Sequence, residues 1–341
     1  MYSDKQIYNC INNNKLTIIL KHIVKNNIKI LVTHNGKFHC DEVISSGILQ
    51  NLFNLKLLRT RNKKLIEVSY MKIDVGKKYN PDKFMFDHHQ DNFNEKYYES
   101  CSTNMSTAGL IWKHYGKLYI KKNFNYDITN DELLIIYKSI IEEIDCNDNG
   151  VKFKNYNKNN LHFYVNLLNH KNHNDDYNQH KSFIKAQRIL MELFDLLLLK
   201  KINYFRYIIN DKNKIKKCME KHKQILILEE GIINWRDAFK EIEYDMHNKS
   251  EYLYLMQRHG TGGEWICKCL PSKNGKKRNR IYFPKKEKLK QIFNLMDESP
   301  EDYDKKIDKV ISYIHPARYL IIFKSKELAL KYIDMLLNYK E

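Results

Sequence analysis

Along the first half of the chain, apolar residues come in short β-branched or leucine-rich runs that stop abruptly at polar ones. Residues 28–33 (IKILVT) form such a run and end at His34-Asn35-Gly36, which predicts a short buried strand. Residues 40–54 then set Val43, Ile44, Gly47, Ile48 and Leu52 on one helical face. Further strands are expected over 56–61 (KLLRTR), 71–75 (MKIDV, closed by Gly76) and 83–87 (KFMFD), and helices over 103–120 and 131–146. Residues 16–24 (LTIILKHIV) read as a surface or packing helix. Strand–helix alternation of this kind predicts an α/β fold with a mainly parallel sheet.

From about 160 to 223 the rhythm is helical, and 182–209 is strongly apolar on one side. Strand signals return at 225–230, 251–257, 265–271 and 280–284, followed by a helix near 286–296, a strand over 318–323 and a closing helix near 325–339. The expected organisation is therefore a larger lobe over 1–180, a helical connector over 181–223 and a smaller α+β lobe over 224–341. A chain of 341 residues suits one large or two ordinary domains.

Composition adds a bias towards anionic partners. Lys and Arg number 59 against 41 Asp and Glu, a net charge of +18, which favours nucleic acid, nucleotides or acidic membranes. The excess is mostly Lys, spread through every segment beside abundant Asn and Tyr, the pattern an A/T-rich coding bias also produces. Seven Cys without regular spacing suggest no disulfide framework and a reducing compartment. Cys267-x-Cys269 fits alternation along a strand better than a zinc knuckle. No apolar run approaches the roughly 20 residues of a membrane span, and no signal-peptide core directly follows Met1-Tyr2-Ser3-Asp4-Lys5. Nucleus, mitochondrion and cytoplasm all stay open, as does the oligomeric state.

Four polar clusters carry the chemistry. Thr33-His34-Asn35-Gly36-Lys37-Phe38-His39-Cys40-Asp41-Glu42 puts two His, an Asp and a Glu at the carboxyl end of a strand, where open α/β sheets bind ligands. His with Asp suits a borderline divalent metal, and the helix N-terminus that follows favours a phosphate. Asp74 ends an apolar strand, a costly place for an unpaired carboxylate. Asp87-His88-His89-Gln90 follows another strand; in a turn both imidazoles converge. Glu142-Glu143-Ile144-Asp145-Cys146-Asn147-Asp148-Asn149-Gly150 sets acids at a helix C-terminus against the macrodipole, which a nearby cation would relieve. Taken singly, each is also an ordinary cap or polar turn. Together they can supply the bridging and terminal ligands of a two-metal site.

The ordered set THNGKFHCDE, RTR, IDVG, FDHHQ, STAGLIW and EEIDCNDNG resembles the DHH phosphoesterase superfamily and, within it, the melanocyte-proliferating-gene family. The resemblance spans nearly the whole chain, with weaker matches at Ile233-Asn234-Trp235-Arg236, Gly262-Gly263-Glu264-Trp265 and Ile314-His315. It implies a catalytic lobe like that of RecJ-type nucleases, oligoribonucleases and family II pyrophosphatases, working with two divalent ions, Mn²⁺ or Mg²⁺. It also implies 3′–5′ exonuclease action on RNA or short oligonucleotides, in the nucleus and mitochondria. His34, His39 and Asp74 would hold one ion. Asp41, Asp74, His88 and one of Asp145 and Asp148 would hold the other, with Asp74 bridging. His89 would touch the scissile phosphate, and Asp87 would orient a neighbouring His. Arg59 and Arg61 would face substrate phosphates.

Two departures stand out. His39 occupies a position where the superfamily usually has Asp, which leaves the metal open. Arg318-Tyr319-Leu320-Ile321-Ile322-Phe323 replaces a Gly-Gly-His-type stretch, and its bulky side chains block a close backbone approach to nucleic acid. Arg318 or the Lys-rich loop 273–280 would have to take over that contact, and Tyr252, Tyr254 and Trp265 are sheet core or, as the less expected alternative, residues that stack bases. Two other functions compete with the nuclease: a small-molecule phosphatase or pyrophosphatase, and a non-catalytic RNA-binding protein that keeps the fold.

Overall fold

The short β-branched runs form the centre of the first half of the molecule, seen here in a computed structural model. It describes residues 4–12, 15–153, 160–229, 231–232, 234–247, 250–273, 279–292 and 307–338. Two helices, α1 (Asp4–Asn12) and α2 (Leu16–Lys25), precede strand β1 (Ile30–Thr33). Then come α3 (Cys40–Leu52), β2 (Lys56–Arg59), α4 (Lys63–Val68), β3 (Met71–Ile73), β4 (Tyr79–Asn80), a 3₁₀ turn at Pro81–Lys83, and β5 (Met85–Phe86). The sheet order is β2-β1-β3-β5-β4. All pairs are parallel except β4 with β5. The strand residues Ile30–Thr33 and Met71–Ile73 are all buried, as expected for central strands of a parallel sheet. The antiparallel strand β4 was not expected from the pattern. It is two residues long and ends directly before Pro81, which cannot extend a ladder.

The helices form the outer layers. Ile7, Tyr8, Ile19, Ile23 and Leu65 of α1, α2 and α4 pack with Ile30, Val32 and Leu58 of the sheet. Helix α3 packs against α5 (Thr107–Phe124) and the other face. Ser106 caps α5, its side chain accepting from the Ala108 amide, and Asn125 ends it in the left-handed conformation (φ 45°). The expected helix 131–146 is present as α6 (Asn130–Ile136) and α7 (Glu142–Asp148), joined without a break by a π-helical turn, Tyr137–Ile141. Thr129 and Glu132 form a reciprocal cap at its start.

Helix α8 (Leu161–Leu168) leads to α9 (Asp176–Met219). By packing, the chain divides into two units at Asn203/Tyr204, inside α9. In the first unit, Phe183 and Phe194 of α9 meet Phe38 and Trp112 edge-on.

The second unit is a sheet in the order β6-β7-β8-β10-β9: β6 (Ile225–Leu228), β7 (Tyr254–His259), β8 (Glu264–Cys269), β10 (Leu320–Phe323) and β9 (Ile311–Ile314). Only β6 and β7 run parallel. Period-two alternation sorts the strand residues between two cores. Leu226 and Leu228 join Ile215 and the helix α10 (Trp235–Asp245). Ile225 and Ile227 join Phe283, α11 (Lys286–Ile292) and α12 (Lys326–Asn338). Cys267 and Cys269 are buried together in that second core, and no disulfide forms among the described residues.

Two expectations and one alternative are corrected here. Residues 280–284 form no strand: the Arg280 amide donates to Leu270 O and that of Phe283 to Arg318 O, leaving only an isolated bridge between Pro271 and Asn279. Tyr252, Tyr254 and Trp265 are core side chains, 6%, 2% and 8% exposed, so they offer no face for stacking bases. Strand β9 was missed because two of its four side chains are exposed and polar or phenolic, Ser312 and Tyr313. Most of the Lys-rich loop, 274–278, lies outside the described residues. Among the described residues, no helix is long and apolar enough to cross a membrane.

Candidate metal centre

The carboxyl ends of β1, β3 and β5 lie side by side, because these strands are neighbours in the parallel sheet. Each carries a polar cluster just past its last apolar residue. Beyond β1 the chain turns through Gly36 (φ 83°) into His39, which precedes α3. Glu42 reaches back, both carboxylate oxygens accepting from the His39 amide at 2.9 and 3.0 Å. That bond fixes Asp41 and Glu42 in the first turn of α3, where the helix dipole favours negative charge.

Beyond β3, Asp74 adopts the left-handed conformation (φ 50°), and its amide donates to Phe86 O at 3.0 Å. This backbone turn stops the strand two residues earlier than its apolar pattern suggests and swings the carboxylate towards three imidazoles. Asp74 Oδ2 lies 3.1 Å from His34 Nε2, and Oδ1 lies 3.3 Å from His89 Nδ1 and 3.5 Å from His88 Nε2. Beyond β5, Asp87 Oδ2 accepts from the Lys77 amide at 2.5 Å. Its Oδ1 accepts from the His89 amide at 3.0 Å and lies 2.9 Å from His89 Nδ1. The fourth segment is the end of α7: Asp148 Oδ2 is 3.1 Å from His88 Nε2, and Oδ1 is 4.0 Å from His39 Nδ1.

Three groups of donors result: His34, His39, Glu42 and Asp74; Asp74, His88 and His89; and His39, Asp41 and Asp148. Asp74 belongs to two of them, and so does His39.

The electrostatics of this cluster are unbalanced without a cation. Burial alone would push the His34 imidazole down, but Glu42 and Asp74 against it raise it to about 10. His88 is likewise raised to about 9, Asp148 and Asp74 outweighing its burial. For His89, hydrogen bonding to Asp74 and Asp87 dominates and raises it to about 10. Asp74, despite its burial, is held well below the usual carboxylate range by the three imidazoles. Asp41 is the opposite case: burial first, then Asp148, Asp74 and Glu42, drive it well above that range. Both its oxygens are buried and meet no donor among the described residues. A buried carboxyl with no donor, beside further carboxylates and neutralisable imidazoles, is what a divalent cation would satisfy. The residues present fit such an ion.

The remaining candidates are placed differently. Asp145 is fully buried and turned away from the donor groups. Its Oδ1 accepts from the Ser106 amide (3.0 Å), Ser106 Oγ (2.6 Å) and the Gly109 amide (3.0 Å), and its Oδ2 from the Tyr137 hydroxyl (2.7 Å). Of the two acids left open by the spacing, Asp148 is the one at the cluster. Arg59 is 1% exposed. Its guanidinium lies over the Phe38 and Phe183 rings and donates to Gly36 O at 2.7 Å, so it braces the His34–Asp41 loop from beneath instead of facing the cleft. Arg61, two residues on and therefore past the end of the strand, is exposed and binds Asn35 O and Oδ1. Arg318 sits in a turn of the second unit, its amide on His315 O at 2.7 Å. Glu42 belongs to the donor set but was not assigned a ligand role from the sequence. Its signal was legible only as a helix-capping residue three positions after His39.

An open cleft of about 1150 Å³ borders the cluster, with His34, His39, Asp74 and His89 at one end. Its rim carries Lys37, Arg61, Lys63, Lys77 and Lys83.

The family model MYG1_exonuc, described as "Uncharacterised protein family (UPF0160)", matches residues 30–337. The chain belongs to this family. Members it resembles include the MYG1 protein of Dictyostelium discoideum, 32% identical over 256 residues, covering 69% of this chain and 76% of that one. The MYG1 protein YER156C of Saccharomyces cerevisiae is 42% identical over 130 residues, 36% of this chain and 38% of that one. The MYG1 exonuclease of Rattus norvegicus is 24% identical over 280 residues, 74% and 71% of the two chains. The family match runs through all four segments of the metal centre and into α12.

Proposed function

We propose that the chain is a metal-dependent phosphodiesterase, a 3′–5′ exonuclease acting on RNA or short oligonucleotides with two divalent ions, Mn²⁺ or Mg²⁺. The observation that carries this reading is the sharing of Asp74 between a His34/His39/Glu42 group and a His88/His89 group, with the donorless Asp41 beside them. The family relative from rat bears the name exonuclease, which supports nuclease action over other phosphoester chemistry.

In such a set, divalent ions supply Lewis acidity towards a phosphoryl oxygen and lower the pKa of water. The chain's own residues account for the rest. Asp74, ionised across the whole working range, spans the two His groups. Asp87, tied to the Lys77 amide, orients His89 through Nδ1, so that the ring is fixed while its side chain stays 57% exposed to the cleft. Held protonated near neutral pH, His89 donates to a phosphoryl oxygen as negative charge builds there. Lys and Arg side chains on the rim neutralise neighbouring phosphates of a polymer.

The test is hydrolysis of 5′- and 3′-labelled oligoribonucleotides by wild type and Asp74→Asn in Mn²⁺ and in Mg²⁺, with inorganic pyrophosphate in parallel. Wild type should release mononucleotides from the 3′ end. Asp74→Asn should lose more than about 100-fold, beyond what an outer-shell partner gives. Hydrolysis of pyrophosphate alone would replace the nuclease by a pyrophosphatase, and unchanged hydrolysis in Asp74→Asn would remove the site from the reaction.

A further inference from the structure

The two faces of the first sheet are not equally covered. On one face α3 contacts β2 and β3, and α5 contacts β5. On the other, α1, α2 and α4 pack over β1 and β2 through Ile7, Ile19, Ile23 and Leu65. Helix α4 ends at Val68, and the β3–β5 part of that face borders the cleft instead. Lys72 of β3 and Met85 of β5 are register partners there, and both line the cleft, as do Ile66 and Val75.

Lys72 is unusual for a central parallel strand. It is 7% exposed, its ammonium donates to Ser69 O at 2.9 Å, and no carboxylate pairs with it among the described residues. An ammonium has three donors, and Ser69 O takes one. The cation thus sits in an apolar floor, two residues from Asp74, with donors to spare. Inorganic phosphate or pyrophosphate would need no apolar floor. A planar heterocycle with acceptors on its edge needs both parts.

We propose that this open face of β3 and β5 is a nucleoside subsite, in which a base lies on Ile66, Val75 and Met85 and its edge accepts from Lys72. The phosphate of that nucleotide then lies towards Asp74 and His89, and Lys77 and Lys83 flank it on the rim. Glu67, also at the cleft, is an acceptor within the same wall for ribose hydroxyls. The subsite makes the centre selective for nucleotides over bare phosphoanhydrides. It rests on the phosphodiesterase reading only for what the neighbouring cluster does, and its own content is binding.

The test is titration calorimetry on the Mg²⁺-loaded chain with AMP, UMP and ribose 5-phosphate. The nucleotides should bind about tenfold or more tightly than ribose 5-phosphate, and Lys72→Met should remove about that factor for nucleotides while leaving ribose 5-phosphate unchanged. Equal affinity of AMP and ribose 5-phosphate for wild type, or unchanged AMP affinity in Lys72→Met, overturns the subsite. Photolabelling of wild type with 8-azido-AMP gives a check that needs no variant: label within 63–86 supports the subsite, and label confined elsewhere overturns it. Base-dependent binding without any hydrolysis of oligoribonucleotides would sink the exonuclease reading and keep the subsite; hydrolysis without base-dependent binding would do the reverse.

Discussion

Replacing Asp145 and Asp148 separately by Asn and by Ala tests the central assignment at the end of α7. Asp145 accepts from four donors, three on Oδ1 and one on Oδ2. In Asp145→Ala those donors lose their acceptor inside a fully buried site. With relaxation, the penalty is about 3–5 kcal/mol, or a fall of roughly 6–20 °C in melting temperature at 2–4 °C per kcal/mol. Asp145→Asn should be far milder. Its amide oxygen can keep the three donors of Oδ1, and its NH₂ can donate to a turned Tyr137 hydroxyl, for a loss of about 1–2 kcal/mol. Metal content per folded molecule should stay near that of wild type. Asp148 has the opposite profile. It pairs with His88 but also repels Asp41, so its removal from metal-free protein should shift melting by no more than about 3 °C. The affinity for Mn²⁺ should fall more than about tenfold. Differential scanning fluorimetry with and without Mn²⁺, together with metal analysis of desalted protein, reads both quantities. If Asp145→Asn loses metal as completely as Asp148→Asn while melting like wild type, the scaffold role assigned to Asp145 is wrong.

Three further outcomes follow from the same geometry. Asp41→Asn should stabilise the metal-free protein by about 1–3 kcal/mol, because a buried carboxyl crowded by three others becomes neutral, and should abolish stabilisation by Mn²⁺; a lower melting temperature without metal would contradict this. His34, His88 and His89 are raised above 6.5 in the fold, so in metal-free protein their ion pairs stabilise fully below about pH 6.5 and are lost as pH rises through 9–10. Metal must displace the protons of His34 and His88, so calorimetry at pH 7.5 in buffers of different ionisation enthalpy should report release of about two protons, with affinity rising towards pH 9; heats independent of buffer would refute it. Arg59→Met should weaken Mn²⁺ binding by loosening the Gly36 turn, yet leave the salt dependence of oligonucleotide binding unchanged, whereas Arg61→Met should flatten that dependence by about one phosphate contact.

Much of the first lobe was legible because its physics is local. A buried parallel strand is a run of β-branched residues, and the ligand-bearing loops announce themselves by His and Asp placed where that run stops. What local pattern cannot reveal is the direction in which a polar side chain faces. Arg59 and Arg61 look alike in KLLRTR, yet one lies beneath Phe38 and the other is exposed beyond the strand end. Asp145 and Asp148 share a helical spacing, and only the positions of Ser106 and Tyr137 separate them. Glu42 read as a cap because a cap and a ligand want the same residue at the same place. In the second lobe, Arg-Ile-Tyr-Phe-Pro looked like a strand because its residues are β-formers, but strand identity depends on a partner, and here only scattered backbone bonds reach it.

The π turn between α6 and α7 sets the angular phase of everything after it. A π turn takes up about one residue more than an α turn, and one residue is roughly 100° of rotation about the helix axis. Rewinding 137–141 as regular α-helix with no residue removed would turn α7 relative to α6 by that angle. With α6 held by its cap and α5 fixed by Ser106, Asp145 would leave its donors and Asp148 would swing out of reach of His88. The apolar pattern of the segment would scarcely register the change. A substitution that regularises this stretch, far from every His of the centre in sequence, is therefore as damaging to it as the loss of a ligand.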